Sequence, residues 1–346
     1  LMRYFRIKVL VSLILLLALF FVYSSVSANT VGQSEVFIVN SKYDYFSRIS
    51  LGATLRYVSD YAYFYVEDKY WNSLSSNGKA LLNNNILVLG QEFDDNIYPK
   101  STQFWGTEPN PGIDNDPRVY VLLENLISGN GGYFDAANEY SVQDAGRSNE
   151  KEIIFINVDS LKVNLGKIFL GHEFQHLISF NQKELIRKTK EDIWLNELRS
   201  EYTVSLLGYD DSFYESNLSR RMDVFLENPS DSLTEWPNVS VDYGQVALFG
   251  QYLVEQYGPT ILSETLQGSA VGIDSINQYF INHGLSEKFS NVFENWTIAN
   301  YLNNLNLDKR YGYQRNELKN IHVAYQRANI LYPSTFTFNY NLKPWQ

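Results

Sequence analysis

His172 and His176 are the residues whose type and spacing most directly suggest chemistry in this chain of 346 residues. Four positions apart on a helix, they lie on one face, so both imidazoles could reach one metal ion at about 2.0–2.1 Å. Glu173 is rotated by about 100° from His172 on such a helix and could act as a general base toward a metal-bound water. The alternative is a buried helix whose two histidines hydrogen-bond to backbone or carboxylate groups.

A third metal ligand is expected on a second helix. The apolar residues within 194–202 predict an amphipathic helix, with Asp192 as a plausible N-cap. Glu197 and Glu201 are four residues apart, and two carboxylates at that spacing repel each other unless a positive group lies between them. We therefore predict that Glu197 binds the metal and that Glu201 accepts the distal N–H of a ligand histidine. A solvated acidic helix face is the alternative, but the apolar neighbours of the pair favour burial.

These motifs resemble those of the gluzincin metallopeptidases, the thermolysin-like clan of zinc peptidases. The resemblance rests on His-Glu-Phe-Gln-His at 172–176, followed by Trp-Leu-Asn-Glu at 194–197 and Ser-Glu-Tyr at 200–202. Within the clan, the sequence is most like the secreted bacterial hyicolysin-type neutral proteases. The looser part of the match runs from Phe-Trp-Gly at 104–106 and Asn-Asp-Pro at 115–117, through Gly-Tyr-Phe-Asp at 132–135, to about Trp296.

The resemblance implies an α+β, zincin-like fold. In such a fold an N-terminal lobe with a mixed α/β sheet lies beside an active-site helix and a mainly helical C-terminal lobe. It also implies one Zn²⁺ per chain, held by His172, His176 and Glu197, with Glu173 as the base and Glu201 behind the ligands.

One position departs from the pattern of the clan. Its members usually place a small residue, often Gly, directly after the ligand Glu, whereas this chain has Leu198 and Arg199. No ligand is lost by this change, but it puts the closeness of the helices and the shape of the pocket in question.

The resemblance predicts hydrolysis of peptide bonds by a zinc-bound water that Glu173 activates. A hydrogen-bond donor other than zinc is expected to face the developing oxyanion. Two candidates stay open: Tyr243, which begins a helical run like the one carrying a tyrosine in clan relatives, and His283, which precedes Gly284. The substrate is expected to add to an edge strand, for which 153–158, just before the active helix, is the first candidate.

Hydrophobic periodicity divides the chain into a sheet-forming region and a helical region. Apolar runs predict strands at 36–39, 119–123 and 153–158, and helical spacing predicts helices at 51–65, 79–94, 163–182, 192–207, 243–257 and 285–302. We therefore predict an α/β lobe at 29–161, a helical lobe carrying the zinc site at 162–302, and a tail of unassigned role at 303–346. Thr335–Phe338 in that tail has the pattern of a strand.

Residues 1–28 have the pattern of a signal peptide. Basic residues precede an apolar run at 9–22, and small residues follow it. The mature chain is expected to begin near Asn29 and to be secreted or held in the cell envelope, with a bacterial source favoured by the absence of cysteine. Protein or peptide substrates are the expected partners, and a membrane only if this segment stays uncleaved.

The composition excludes several other classes of protein. Hydrophobic residues make up 45% and charged residues 19% of the chain, which is typical of a globular protein rather than a disordered one. The formal charge of -11 argues against nucleic-acid binding, and zero cysteines exclude disulfides and Cys-ligated metals. Asp114, Asp116 and Asp135 lie in Gly- and Pro-rich loops, where Asx turns are the first interpretation and a structural Ca²⁺ the second.

Three hypotheses about function follow from these patterns. A secreted zinc endopeptidase is preferred, because both ligand motifs occur together. A catalytically silent zincin-like protein that binds peptides or envelope partners is the alternative, although intact ligands and an intact base argue against it. A cell-surface structural protein, whose histidines only fill a core, would contain no zinc.

Overall fold

The computed structural model describes residues 29–163, 165–323 and 343–346. The predicted signal peptide at 1–28 and the predicted strand at Thr335–Phe338 lie outside the described residues. A mixed sheet forms in the N-terminal part and helices dominate the C-terminal part, which confirms the predicted α+β, zincin-like fold. None of the helices in the described ranges combines the length and apolar character that crossing a bilayer requires.

The described part of the chain contains one six-stranded sheet with the order β1-β2-β3-β4-β6-β5. β3, β4 and β6 run parallel, and the remaining neighbours pair antiparallel. The predicted strands at 36–39, 119–123 and 153–158 are confirmed, with their ends shifted by one or two residues. The strands are β1 Ser34–Ile38, β2 Ser50–Val58, β3 Ala62–Glu67, β4 Val119–Glu124, β5 Gly132–Phe134 and β6 Ile153–Asn157.

The predicted helix at 51–65 is wrong, because this segment forms a hairpin of β2 and β3. The two strands pair antiparallel, with Leu55 opposite Tyr65. β3 also pairs in parallel with β4, and all six of its residues are buried. A strand covered on both faces carries a continuous apolar run instead of an alternating one, and such a run can satisfy a helical spacing by chance.

The prediction that 153–158 forms the free edge of the sheet is also wrong. β6 lies between β4 and β5 and is an inner strand. The chain turns back after β4 and adds the three residues Gly132–Phe134 antiparallel to β6, so that β5 becomes the edge on this side. Its short length and its glycine removed the alternating apolar signal by which strands are predicted.

The helical region agrees with prediction at 79–94, 163–182, 192–207, 243–257 and 285–302, again with shifted ends. π-helical turns extend two of the helices, at Phe93–Ile97 and Asn181–Ile186. The helices are α1 Asp68–Ser73, α2 Ser76–Glu92, α3 Tyr98–Trp105, α4 Val142–Ala145, α5 Gly166–Phe180, α6 Ile193–Leu206, α7 Asn217–Glu227, α8 Ser240–Tyr257, α9 Thr260–Leu266, α10 Gly272–Asn282 and α11 Phe289–Leu302.

α5 is held against the sheet by its apolar side. Phe174 is fully buried and packs edge-on against Phe93, with ring centroids 5.1 Å apart. Burying an aromatic or aliphatic side chain of this size contributes about 1.5–3 kcal/mol to folding. The same buried cluster includes residues of β3, β4 and β6 together with α5, among them Phe64, Val121, Ile154, Leu170 and Leu177.

The large residues after Glu197 fit because a neighbouring helix is small at the point of contact. Leu198 is fully buried, and a Cβ atom added at Gly250 of α8 would lie 3.1 Å from its side chain. Arg199 is also fully buried, and its guanidinium donates to Glu191 over 2.7 Å. A glycine on the neighbouring helix and a buried ion pair therefore accommodate these two large residues.

Gly244→Ala is predicted to destabilise the fold. A Cβ atom at this position would lie 2.9 Å from the backbone nitrogen of Phe225 and 3.1 Å from the carbonyl oxygen of Arg221, so α7 and α8 would have to separate. Overpacking of this kind costs about 1–3 kcal/mol. Unfolding in urea measures the change in the free energy of unfolding.

Gly78→Ala is the matched control, because it introduces the same methyl group into another helix, where the nearest atoms are 3.4 Å away. It is expected to stabilise the protein by about 0.4–1 kcal/mol, since alanine has less conformational entropy to lose. Equal effects of the two substitutions would contradict the close contact of α7 and α8.

Candidate metal centre

His172 and His176 lie together on the face of α5 that is turned toward α6. Their ring centroids are 4.9 Å apart, and the two Nε2 atoms are separated by 3.2 Å. The helix presents them as a pair because its apolar residues occupy the opposite side and are packed under the sheet. The predicted i, i+4 arrangement of the two imidazoles is therefore present.

α6 brings Glu197 to the same point. Its Oε2 atom lies 3.2 Å from His172 Nε2 and 3.5 Å from His176 Nε2. Three ligands bound tetrahedrally at 2.0–2.1 Å from a zinc ion would be separated from one another by about 3.3–3.4 Å. The observed separations match that spacing.

The donor atoms of this cluster fit a cation. Glu197 Oε2 is buried and has no hydrogen-bond partner among the described residues. Two imidazole nitrogens 3.2 Å apart cannot both donate to each other, so at least one of them offers a lone pair to the cluster. Two imidazoles and one carboxylate are the protein ligands of many catalytic zinc sites. The three residues could therefore hold Zn²⁺ without moving.

The charges around the cluster also favour a bound cation. Burial lowers the pKa of His172, but the nearby Glu197, Glu173 and Glu201 carboxylates outweigh it and raise that pKa to about 9. Burial alone would raise the pKa of Glu197, but His176 and His172 bring it well below its usual range. The site therefore favours positive charge at the point where the three ligand atoms meet.

Glu201 lies behind His172, as predicted. Its Oε1 atom is 3.5 Å from His172 Nδ1. Arg221 donates two hydrogen bonds to the Glu201 carboxylate, of 2.8 and 2.7 Å, and Asn217 donates a third of 2.8 Å. Because Arg221 neutralises Glu201, two glutamates four residues apart are tolerated within a buried helix face.

Glu173 faces the cleft beside the ligands and is 7% exposed. Burial raises its pKa, and Glu197 and Glu201 raise it further, whereas His172 and His176 lower it. The edge strand reaches this side chain through Gly132, where an added Cβ atom would lie 3.0 Å from Glu173 Cγ and 2.8 Å from the carbonyl oxygen of Phe155. Glycine is thus required for β5 to lie directly beside Glu173.

The structure brings one of the two predicted oxyanion donors to the site. The ring of Tyr243 lies 6.5 Å from that of His172, and its hydroxyl donates to Asn238 Oδ1 over 3.0 Å. Burial, followed by the charges of Glu197, Glu173 and Glu201, raises the pKa of Tyr243 well above its usual value, so the phenol stays protonated.

His283 is placed differently. It stacks on Tyr279 at 4.0 Å, lies 3.4 Å from Glu264, and lines neither of the cavities that contain His172. It directly follows α10 and is therefore a histidine at a helix end.

Two residues near the cluster were not found by sequence reasoning. Tyr43, in the loop after β1, lines the cavity at the ligands; burial, then Glu173 and Glu197, raise its pKa. Nothing in the local sequence marks it. Arg221 could have been found, because it and Asn217 are polar residues at i, i+4 on α7, a spacing that can place two donors on one acceptor.

The loop carboxylates make Asx turns. Asp114 accepts from the backbone N–H of Asp116 over 2.9 Å, Asp116 from that of Arg118 over 3.1 Å, and Asp135 from that of Ala137 over 3.1 Å. Within 29–163, 165–323 and 343–346, the group of three close ligand atoms is the one at His172, His176 and Glu197. A structural Ca²⁺ therefore has no support.

Comparison with known proteins gives a distant relative. No protein-family model matches this sequence. The chain is 28% identical over 222 residues to the neutral metalloprotease ShpI of Staphylococcus hyicus, a similarity that covers 56% of this chain and 48% of the relative. The chain thus spans about half the length of the relative it matches. Together with the group of His172, His176 and Glu197, this similarity supports a relationship with zinc metalloproteases.

Proposed function

We propose that this protein is a secreted zinc endopeptidase of the gluzincin type, similar to the hyicolysin-type neutral proteases. The observation that carries the proposal is the meeting of His172 Nε2, His176 Nε2 and Glu197 Oε2 at separations of 3.2–3.5 Å, with Glu173 next to them. The name of the relative, a neutral metalloprotease, supports the same reaction class.

His172, His176 and Glu197 would hold the metal. Bound there, zinc supplies Lewis acidity that lowers the pKa of a water molecule to about 7. Glu173 accepts the proton of the attacking water, and its raised pKa suits a group that later returns that proton to the leaving amine. Glu201, neutralised by Arg221, orients His172.

The substrate would extend along β5. This strand pairs only with β6 within the described residues, so its outer edge can accept a peptide as an added strand. Gly132 lets that edge approach Glu173, which places the scissile bond beside the base.

An endopeptidase is favoured because the cleft continues on both sides of the cluster. Two adjoining cavities of about 330 and about 270 Å³ contain His172 and Glu173. One extends toward Phe180 and the other toward Phe169. Residues on either side of a scissile bond can therefore be accommodated, which a site closed at one end would prevent.

Tyr243 is proposed as the donor to the oxyanion. Its hydroxyl is protonated and donates a hydrogen bond to Asn238 Oδ1, and Asn238 also lines the cleft. A tyrosine is stiff, since only two side-chain torsions place its oxygen. If the Tyr243 hydroxyl donated to the developing negative charge instead of to Asn238, its hydrogen bond would be stronger in the transition state than in the ground state.

The proposed location and domain organisation of the protein are based on its sequence patterns. We propose that 1–28 direct export to the cell envelope or the medium, that 29–161 form the substrate-binding lobe, and that 162–302 carry the zinc. Protein or peptide substrates are the proposed partners.

Zinc titration tests the ligand set. The wild type is expected to bind one Zn²⁺, and Glu197→Ala to lose most of that affinity, because two histidines alone make a poor site. Glu184→Ala, which removes another glutamate of the same cleft from outside the ligand group, is the control and should bind as the wild type does. If the wild type bound no zinc, the result would favour a structural protein whose histidines only fill a core.

Glu173→Gln separates metal binding from catalysis. The variant should retain zinc, because the ligands are unchanged, and should lose nearly all casein hydrolysis, because the base is missing. Zinc content and hydrolysis are measured on the same preparation, with and without a chelator. Substantial hydrolysis by the variant would overturn the proposed reaction, and an inactive wild type with zinc bound would favour the catalytically silent alternative.

Tyr243→Phe should fold, bind zinc and turn over about 10²–10³ more slowly, as enzymes that lose one oxyanion donor do. The apparent substrate affinity should change little if the hydroxyl acts only in the transition state. His283→Ala is the comparison and should be near normal. Steady-state kinetics on one peptide decides between them, and the reverse result would assign the role to His283.

A further inference from the structure

The two histidines of the cluster have different partners on their outer nitrogens. His172 Nδ1 lies 3.5 Å from the Glu201 carboxylate, whereas His176 Nδ1 lies 3.2 Å from the hydroxyl oxygen of Ser200. An ionised carboxylate only accepts hydrogen bonds, so it selects the Nδ1–H form of an imidazole by itself. A serine hydroxyl can donate or accept and selects neither form. The Glu197 carboxylate, 3.5 Å from His176 Nε2, favours the competing Nε2–H form, so a further group on the Nδ1 side is needed to hold the form that can bind a metal.

Gln175 is that group. Ser200 donates its only hydroxyl proton to Gln175 Oε1 over 2.5 Å. Toward His176 the Ser200 oxygen can then only accept a hydrogen bond. His176 Nδ1 is therefore the donor and carries the imidazole proton. The Nε2 atom of His176 keeps its lone pair, which lies 3.2 Å from His172 Nε2 and 3.5 Å from Glu197 Oε2.

The polarity of this chain of hydrogen bonds matters for the metal centre. If the Gln175 amide were reversed, its N–H would donate to Ser200 and the Ser200 hydroxyl would donate to His176 Nδ1. The imidazole proton would then lie on Nε2, and that nitrogen could not bind a metal. In the structure Gln175 instead directs its N–H to Ser179 Oγ, over 2.8 Å.

The surroundings make the arrangement rigid. Gln175 and Ser200 are fully buried, and Ser179 is 3% exposed. Hydrogen bonds in such a site are stronger than in water, and an unpaired polar group there is costly. Gln175 lies on α5 and Ser200 on α6, so the bond between them also joins the two helices that carry the ligands.

We propose that Gln175 and Ser200 are positioning residues that hold His176 in its Nδ1–H tautomer and so make its Nε2 available to zinc. This inference rests on the proposed function, because it assigns the pair to the zinc-binding role of His176. It also explains why a polar glutamine is fully buried in α5, at a position that lines neither of the two cavities beside the cluster.

Ser200→Ala is the test variant. It removes the acceptor for His176 Nδ1–H and should weaken zinc binding about 10–100-fold, as changes behind metal ligands do. Thr203→Val is the matched control: it removes another fully buried hydroxyl of α6, which donates to the carbonyl oxygen of Arg199 and takes no part in the bonds to His176. Its zinc affinity should stay close to that of the wild type. Competition with a chromophoric chelator measures zinc affinity, and thermal unfolding of the metal-free variants checks the fold.

A second measurement reports the tautomer directly. The chain has four histidines, so imidazole ¹H–¹⁵N spectra of the metal-free protein are simple to assign with one substitution at each histidine. At a pH where the rings are neutral, His176 should be in the Nδ1–H form in the wild type and in Thr203→Val. In Ser200→Ala it should move toward the Nε2–H form.

The outcomes separate this inference from the proposed function. A wild type that binds zinc while Ser200→Ala binds it equally well, or keeps the Nδ1–H form, overturns the inference alone. An equal loss of affinity in Thr203→Val assigns the effect to helix packing and overturns it too. A wild type that binds no zinc overturns the proposed function, and the role of the pair in zinc binding falls with it.

Discussion

The contact between α5 and α6 is the constraint on which the rest of the site depends, because it brings two imidazole nitrogens and a carboxylate oxygen within 3.5 Å of one another. Gly171, directly before the first histidine, lies against the end of α6; a Cβ atom there would lie 2.6 Å from the side chain of Leu207, the residue that follows this helix. On its other side α5 is packed under the sheet. The three candidate ligands are therefore held by packing residues that lie outside their own group.

The polar groups behind the cluster compensate for the charges that this close contact brings together. Two glutamates on one buried face of α6 would repel each other, and Arg221 of α7 neutralises the inner one. His176 contacts the neutral Ser200, which is hydrogen-bonded to Gln175, so its outer nitrogen needs no further buried charge. Charge is thus concentrated at the point where the three ligand atoms meet, which is where a cation would be most strongly bound.

A second network holds the wall of the cleft. Glu191 lies between Arg199 and Lys183, at 2.7 and 3.2 Å, and Lys183 donates to the carbonyl oxygens of residues 265, 268 and 270. Burial and the neighbouring Arg199 lower the pKa of Lys183 to about 8, although Glu191 opposes that change. These bonds join α6 to the loop between α9 and α10. Arg199, two residues after Glu197, therefore has a structural role: it fixes the helix that carries Glu197.

The sequence by itself determined what depends on neighbours along the chain. The i, i+4 pairs at 172/176 and 197/201 and the apolar stripes around them were enough to predict the helices and the residues that could bind a metal. The mixed character of the fold could be predicted from the same periodicity together with the family resemblance. These features need only the geometry of one helix or one strand.

Only the tertiary structure decided what depends on partners distant in sequence. The apolar run of β3 is compatible with a helix in the sequence alone, and its pairing with β4 makes it a strand. β5 becomes the edge of the sheet because the chain turns back and pairs with β6. Tyr43 and Arg221 reach the cluster from other elements, and the partner of each histidine depends on how α6 is rotated against α5. Contacts across the fold are set by the packing of whole elements, which local spacing does not encode.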